Sequence, residues 1–234
     1  MIMTDQPTHT FLPAWLTKIM GGSLLLVTLI LLVGGTLATV VGHKLVERQD
    51  RQDQRMDIVI TNLQVLHEQV TIRDIVESKL PKASMETKAR LSFEIYDICR
   101  RNNLPSWMVL GLIEKESTWD PRAVSSTGAM GLMQLMPGTA LTQARSQGIT
   151  LTSLEQVFEP VTNIKLGIGV LVDNYRGAIM AGKSSEGDYV RALWAYNGGG
   201  EVYARLVMEK VVPYKKRLEA PLQGQVGQVL EARK

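Results

Sequence analysis

The residue pattern predicts a mainly α-helical protein: a membrane-spanning helix and a helical stalk lead into a compact helical domain with a minor β element. Three observations predict it. Residues 19–42 run without a single charge. Residues 43–80 alternate charges along a helical apolar seam, with no glycine or proline until Pro81. From Lys82 to about Ala220, apolar residues recur at helical spacing and strand signals are weak. The expected parts are an N-terminal segment 1–18, a transmembrane helix 19–42, a stalk 43–81, a domain 82–220 and a tail 221–234.

The uncharged run is dominated by Leu, Val, Ile and Gly. At a rise of ~1.5 Å per residue it reaches about 36 Å, enough to cross a hydrocarbon core of roughly 30 Å with some tilt. Trp15 and Lys18 stand at one edge and His43 and Lys44 at the other, where interfacial anchors belong. The rival is a cleaved signal peptide with Thr36-Leu37-Ala38 as its cleavage site. Against it, the run is long and the leading segment carries little positive charge. The expectation is an uncleaved single-pass anchor in a lipid bilayer.

In the stalk, Met56, Val59, Leu63, Leu66 and Val70 follow a 3-4-3-4 spacing, with Gln49 and Gln52 extending it in polar form. That is an a/d seam of about two heptads. Self-association or a partner helix through residues 56–70 fits the seam, and so does a lone amphipathic linker. In the domain, Leu91, Ile95, Ile98 and Cys99 form one helical stripe. Pro105-Ser106 opens the next helix, with Ser106 expected as its N-cap and Val109, Leu110, Leu112 and Ile113 as its buried face. Its last turn carries Glu114 and Glu116. Ile164, Ile168, Leu171 and Tyr175 define a third helix. Asp188 is the expected cap of a fourth, on which Val190, Leu193, Trp194 and Asn197 share a face and which Gly198-Gly199-Gly200 ends. Any sheet is small and near residues 123–135, where glycines permit tight turns.

Composition narrows the function classes. The 234 residues are 45% hydrophobic and 21% charged, which excludes a disordered chain. A net charge of +3 without a basic cluster argues against nucleic-acid binding. Cys99 is the only cysteine and lies on a core stripe, so no disulfide framework or cysteine zinc site is expected. His9, His43 and His67 show no ligand spacing. Neither a metal site nor a cofactor is expected.

The most informative stretch runs from Glu116 to Pro137. A carboxylate at a helix end is followed by a Ser/Gly/Ala run and then by Gly131-Leu132-Met133-Gln134-Leu135-Met136-Pro137. This is the pattern of one acid beside an apolar cleft with a few positioned hydrogen-bonding groups. Glu114 is expected on another face as an exposed charge, and Asp120-Pro121 as turn chemistry.

The segments Glu116-Ser117, Gly128 to Pro137 and Ala195-Tyr196-Asn197-Gly198-Gly199 resemble the three motifs of soluble-type lytic transglycosylases. So does Phe158 to Ile164, with Asn163 and the downstream Gly167. The resemblance covers about residues 90–205. It implies a goose-type, lysozyme-like catalytic domain acting on peptidoglycan glycan strands, cutting the MurNAc–GlcNAc β-1,4 bond to leave 1,6-anhydro-MurNAc ends. It implies Glu116 as the single acid/base. It implies Ser125 near the acid, Gln134 and Met136 as groove residues, Tyr196 as a hydroxyl that orients the acid or stabilises charge, and Asn197 beside it. Gly198 departs from the alanine common in the family.

Such a substrate places the catalytic domain in the periplasm. Lys44, Arg48, Arg51 and Arg55 on the domain side outnumber Lys18 on the other, a bias that favours the reverse orientation. Long domains translocate largely regardless of charge, so the substrate carries more weight. The same conflict fits the membrane or infection apparatus of a phage particle. A different class of function is an assembly protein of an envelope or virion complex whose lysozyme-like domain only binds glycan.

Overall fold

The computed structural model describes the backbone of residues 14–179, 186–198 and 200–220, and the side chains of these from residue 26 onward, apart from 179 and 186. Most of the expected N-terminal segment, the tail 221–234, Gly199 and the side chains of the first part of the apolar run lie outside the described residues. The chain divides into two compact units, 1–60 and 61–234.

In the first unit the described residues belong to helix α1 (Ala14–Lys79), which continues into the second. Its apolar side chains are bare: Leu31 is 68% and Leu32 67% exposed. From Leu26 onward α1 is long and apolar enough to cross a membrane, a test that a signal sequence also passes. Exposed leucines at this density are unfavourable in water and favourable in lipid.

The second unit begins within the expected stalk. Ile72, Ile75, Val76 and Leu80 are buried in the main core, with Val65 packed against it. A helix advances ~100° per residue, so these positions form a stripe distinct from the 56–70 seam. Seam residues Val59, Leu66 and Val70 remain exposed. Residues 61–80 are therefore structurally part of the domain.

Helix α2 (Met85–Arg101) starts at Ser84, whose hydroxyl accepts from Thr87 N at 3.1 Å, and buries Leu91, Ile95 and Cys99 as its periodicity predicts. Helix α3 (Ser106–Ser117) is buried continuously from Ser106 to Ile113 and forms the centre of the domain. Its N-cap position is Pro105, not Ser106. Ser106 stands one residue inside and donates its hydroxyl to Glu68 Oε1 on α1 at 2.5 Å, a tertiary partner that displaces the local cap. Helix α4 (Pro137–Ser146) opens with Pro at the first turn, where a missing N–H costs nothing. A 3₁₀ turn follows at Leu154–Phe158, then α5 (Pro160–Ile179), α6 (Glu186–Asn197) and α7 (Gly200–Leu218).

Ile164, Ile168, Leu171 and Tyr175 on α5 all enter the main core. On α6 only Leu193 of the expected face is fully buried, while Trp194 is 37% exposed. Asp188 lies inside α6 rather than capping it, fully buried and paired with Arg191 three residues on. Among the described residues there is no extended strand. The β character near 123–135 amounts to two isolated antiparallel bridges, Val124 with Met130 and Met130 with Leu135.

Helix α7 has no counterpart in the pattern reading, although Tyr203, Val207, Val211 and Tyr214 mark a helical stripe. It lies against α3 at Gly111, where a Cβ would sit 2.9 Å from Val211 Cα. Only glycine permits that approach. It brings α7 tyrosines to the end of α3.

Candidate active site

Glu116 is the penultimate residue of α3, half-buried at the negative end of the helix dipole. Tyr203 of α7 donates its hydroxyl to Glu116 Oε1, and the Asn197 side chain at the end of α6 also bonds the carboxyl. Burial raises the Glu116 pKa above the usual carboxylate value. The Tyr203 hydrogen bond, the Lys115 charge and the Asn197 hydrogen bond oppose that rise without cancelling it. The carboxyl is thus held toward its protonated form in a partly apolar setting with two polar contacts. Tyr203 is itself buried, and burial followed by the Glu116 charge pushes its pKa up, so it stays a hydroxyl donor.

Glu114, two residues earlier on the same turn, has the opposite character. It forms an ion pair with Lys79 at 2.7 Å and accepts from the Tyr214 hydroxyl at 2.6 Å. Burial favours its neutral form, but the hydrogen bonds from Lys79 and Tyr214 and the Lys79 charge prevail and lower its pKa. It is a half-buried ion-pair member, not the exposed charge expected from its position.

Beyond α3 the chain turns through two left-handed residues, Thr118 (φ 50) and Trp119 (φ 65), conformations that cost energy for non-glycine side chains. Tertiary contacts hold them. Trp119 is buried, its backbone N–H donates to Ser117 Oγ at 3.1 Å, and its indole donates to Tyr214 Oη at 3.2 Å. Asp120 accepts from Arg122 N at 2.9 Å, the turn chemistry its sequence suggests.

The loop 123–136 is fastened by Asn163 near the start of α5. Fully buried, it accepts from Met133 N at 2.8 Å and donates to Met130 O at 3.0 Å and Val157 O at 2.8 Å. The three bonds use the amide's carbonyl and both of its protons, which no hydroxyl or carboxylate side chain can reproduce. Gly131 (φ 75) leaves the space Asn163 occupies, and Gly167 leaves the space of the Met133 side chain. The spacing of the glycines and the asparagine in the motifs thus has a packing cause.

The other expected site residues follow different fates. Ser125 Oγ accepts from Ala129 N and pairs with Thr127 Oγ1, both at 2.9 Å, so its hydroxyl closes its own turn. The nitrogen of the Gln134 amide donates to Gly131 O and Ala123 O at 2.9 and 3.1 Å, which supports the residue's positive φ. Met136 is 44% exposed at the N-cap of α4. Tyr196 does not bond the acid: its hydroxyl donates to Met133 O at 2.8 Å. The tyrosine that meets Glu116 is Tyr203. It lies outside the motif residues, and its signal in the sequence was the apolar stripe of α7.

The family described as the transglycosylase SLT domain matches residues 95–210, the stretch that holds Glu116, the fastened loop, Asn197 and Tyr203. Residues 95–210 are a transglycosylase SLT domain. A transglycosylase of Enterobacteria phage PRD1 is 39% identical over 97 residues, 42% of this chain and 30% of that protein. The soluble lytic murein transglycosylase of Escherichia coli K12 is 38% identical over 69 residues, 29% of this chain and 11% of its own. Among solved structures, the lytic transglycosylase Slt of Pseudomonas aeruginosa aligns at 24% identity and a TM-score of 0.43, over 57% of this chain and 28% of that one. The chain thus spans less than a third of the length of these relatives, and the likeness is one of an SLT domain.

Proposed function

We propose that this SLT protein is a membrane-anchored peptidoglycan lytic transglycosylase in which Glu116 serves as acid and then base. The observation that carries the reading is a carboxyl with a raised pKa, bonded by Tyr203 and Asn197, with no second carboxylate bonded to it among the described residues.

Such a site suits a reaction that needs one proton moved out and back. Glu116 donates its proton to the glycosidic oxygen of the leaving GlcNAc as the bond from that oxygen to C1 of MurNAc breaks and oxocarbenium character develops. The C6 hydroxyl oxygen of the same MurNAc then bonds C1, and its proton passes to the Glu116 carboxylate. The acid is restored, no water is consumed, and the product ends in 1,6-anhydro-MurNAc. Tyr203 and Asn197 steady the carboxylate while it is charged. In the substrate groove, Gln134 presents its carbonyl oxygen, Met136 an apolar wall and Ser125 a turn at the margin. Tyr196 contributes by holding the Met133 carbonyl and so the loop.

The apolar part of α1 would tether this activity to glycan close to a bilayer, with the domain on the periplasmic side or in a phage particle's membrane. Local opening of the cell wall is the role this geometry serves. The phage relative supports that role without choosing between the two settings.

Purified peptidoglycan incubated with the full chain tests the reading. Mass spectrometry is expected to find 1,6-anhydro-MurNAc ends, and Glu116→Gln to produce none. Reducing MurNAc ends alone would replace it with a hydrolytic muramidase. No product from the wild type, beside retained binding to the glycan, would replace it with a binding protein.

A further inference from the structure

The family match ends at residue 210 and starts at residue 95, yet two residues outside it hold the helix that carries Glu116. Lys79, the last residue of α1, pairs with Glu114 at 2.7 Å. Tyr214, near the end of α7, donates to the same carboxylate oxygen, Glu114 Oε2, at 2.6 Å, and accepts from the Trp119 indole at 3.2 Å. We propose that Lys79 and Tyr214 are positioning residues for the acid: through Glu114 and Trp119 they lock the last turn of α3 in the arrangement that sets Glu116 against Tyr203. The proposal rests on the assignment of Glu116 as the acid.

The need for a lock follows from the local backbone. The last turn of a helix has carbonyls without intrahelical partners and frays readily. Here it also precedes two consecutive left-handed residues, Thr118 and Trp119, whose conformations relax unless packing forbids it. Glu114 and Trp119 bracket Glu116 on both sides, and both end on the Tyr214 hydroxyl. The segment of α1 that delivers Lys79 is itself secured: Ile72, Ile75 and Val76 are fully buried, and Glu68 accepts from Ser106 at the opposite end of α3. Helix α1 therefore grips α3 at both ends. An ion pair with a 37% exposed lysine contributes modestly to stability, so its effect is expected mainly on the geometry of the site.

The test compares Lys79→Met, Tyr214→Phe and the charge-exchanged pair Lys79→Glu with Glu114→Lys, all in the full chain. A displacement of the acid by a fraction of an ångström predicts that kcat falls about tenfold in each single variant while KM stays within about twofold. Lys79→Arg and the charge-exchanged pair are expected to regain most of that loss. Hydrogen exchange at the amides of residues 113–119 supplies a readout independent of turnover, expected to quicken in Lys79→Met and in Tyr214→Phe. Unchanged exchange over 113–119, or equal falls in kcat and rise in KM for every variant including Lys79→Arg, overturns the lock. If Lys79→Met does not fold, Tyr214→Phe decides alone, since it deletes one hydroxyl. A wild-type protein without activity on peptidoglycan would count against the proposed function, while the exchange data would still decide the lock.

Discussion

Glu114 and Glu116 sit two residues apart on the same helical turn, yet α3 delivers them to opposite environments. Glu114 meets a lysine and a tyrosine hydroxyl, and its pKa falls. Glu116 meets burial, one tyrosine and one asparagine, and its pKa rises. A separation of two residues rotates the side chains by ~200°, so they face different neighbours. The difference teaches that a carboxyl keeps a raised pKa through what it lacks: both carboxyls accept from a buried tyrosine, but only Glu114 has a cation bonded to it.

The sharpest way to break this comparison is to neutralise each carboxyl in turn. Glu116→Gln is expected to lower turnover of peptidoglycan by about 10³-fold or more, the loss of the proposed general acid and base together. Glu114→Gln should cost about tenfold at most, through geometry alone. Comparable losses from both, measured as release of soluble muropeptides, would erase the distinction.

Removal of the tyrosine that touches Glu116 sharpens it further. Tyr203→Phe deletes a hydrogen bond that favours the carboxylate, so the Glu116 pKa should rise again. The alkaline limb of the pH–rate profile then moves to higher pH, with kcat reduced about tenfold, as expected for one hydrogen bond to a charged group. A limb that stays in place would mean that another group sets it.

Stability against pH should separate the two with opposite signs. Glu114 has a lowered pKa in the folded state, so its contribution is present above the unfolded value near 4.5 and is lost as pH falls through the folded value. Glu114→Gln is therefore expected to destabilise more at pH 7 than at pH 3, by denaturant titration. Glu116 has a raised pKa, so it favours the folded state below the unfolded value, and that benefit disappears as pH rises through the folded one. Glu116→Gln should thus melt higher than wild type at pH 8, with the difference closing near pH 4. A uniform offset across pH in either variant would contradict the assigned environments.

The same contrast shows what was legible in the residues. The stripes of α2, α3 and α5 were legible because burial on one helical face leaves a 3.6-residue period, and Ile164, Ile168, Leu171 and Tyr175 are all buried. The motif residues were legible because the loop that Asn163 fastens tolerates few substitutions of shape. The 56–70 seam masks the stripe at Ile72, Ile75 and Val76, since periodicity reports that a face is apolar and not what covers it. Residue type alone makes Ser106 and Asp188 helix caps, but Glu68 and Arg191 claim them instead.

The sequence by itself determined that the chain is helical, that its first helix is apolar enough to cross a membrane, and that one glutamate ends a buried helix ahead of a glycine-bearing loop. Local pattern suffices for these because each depends on neighbours within a few turns. Which tyrosine meets Glu116, and that Lys79 and Tyr214 meet Glu114, only the tertiary structure decided. Those contacts join residues 87, 35 and 100 positions apart along the chain. The tyrosine contacts exist because Gly111 lets α7 lie close against α3, and the Lys79 contact because Ile72, Ile75 and Val76 bury the end of α1 in the same core, consequences of packing that no stretch of sequence carries alone.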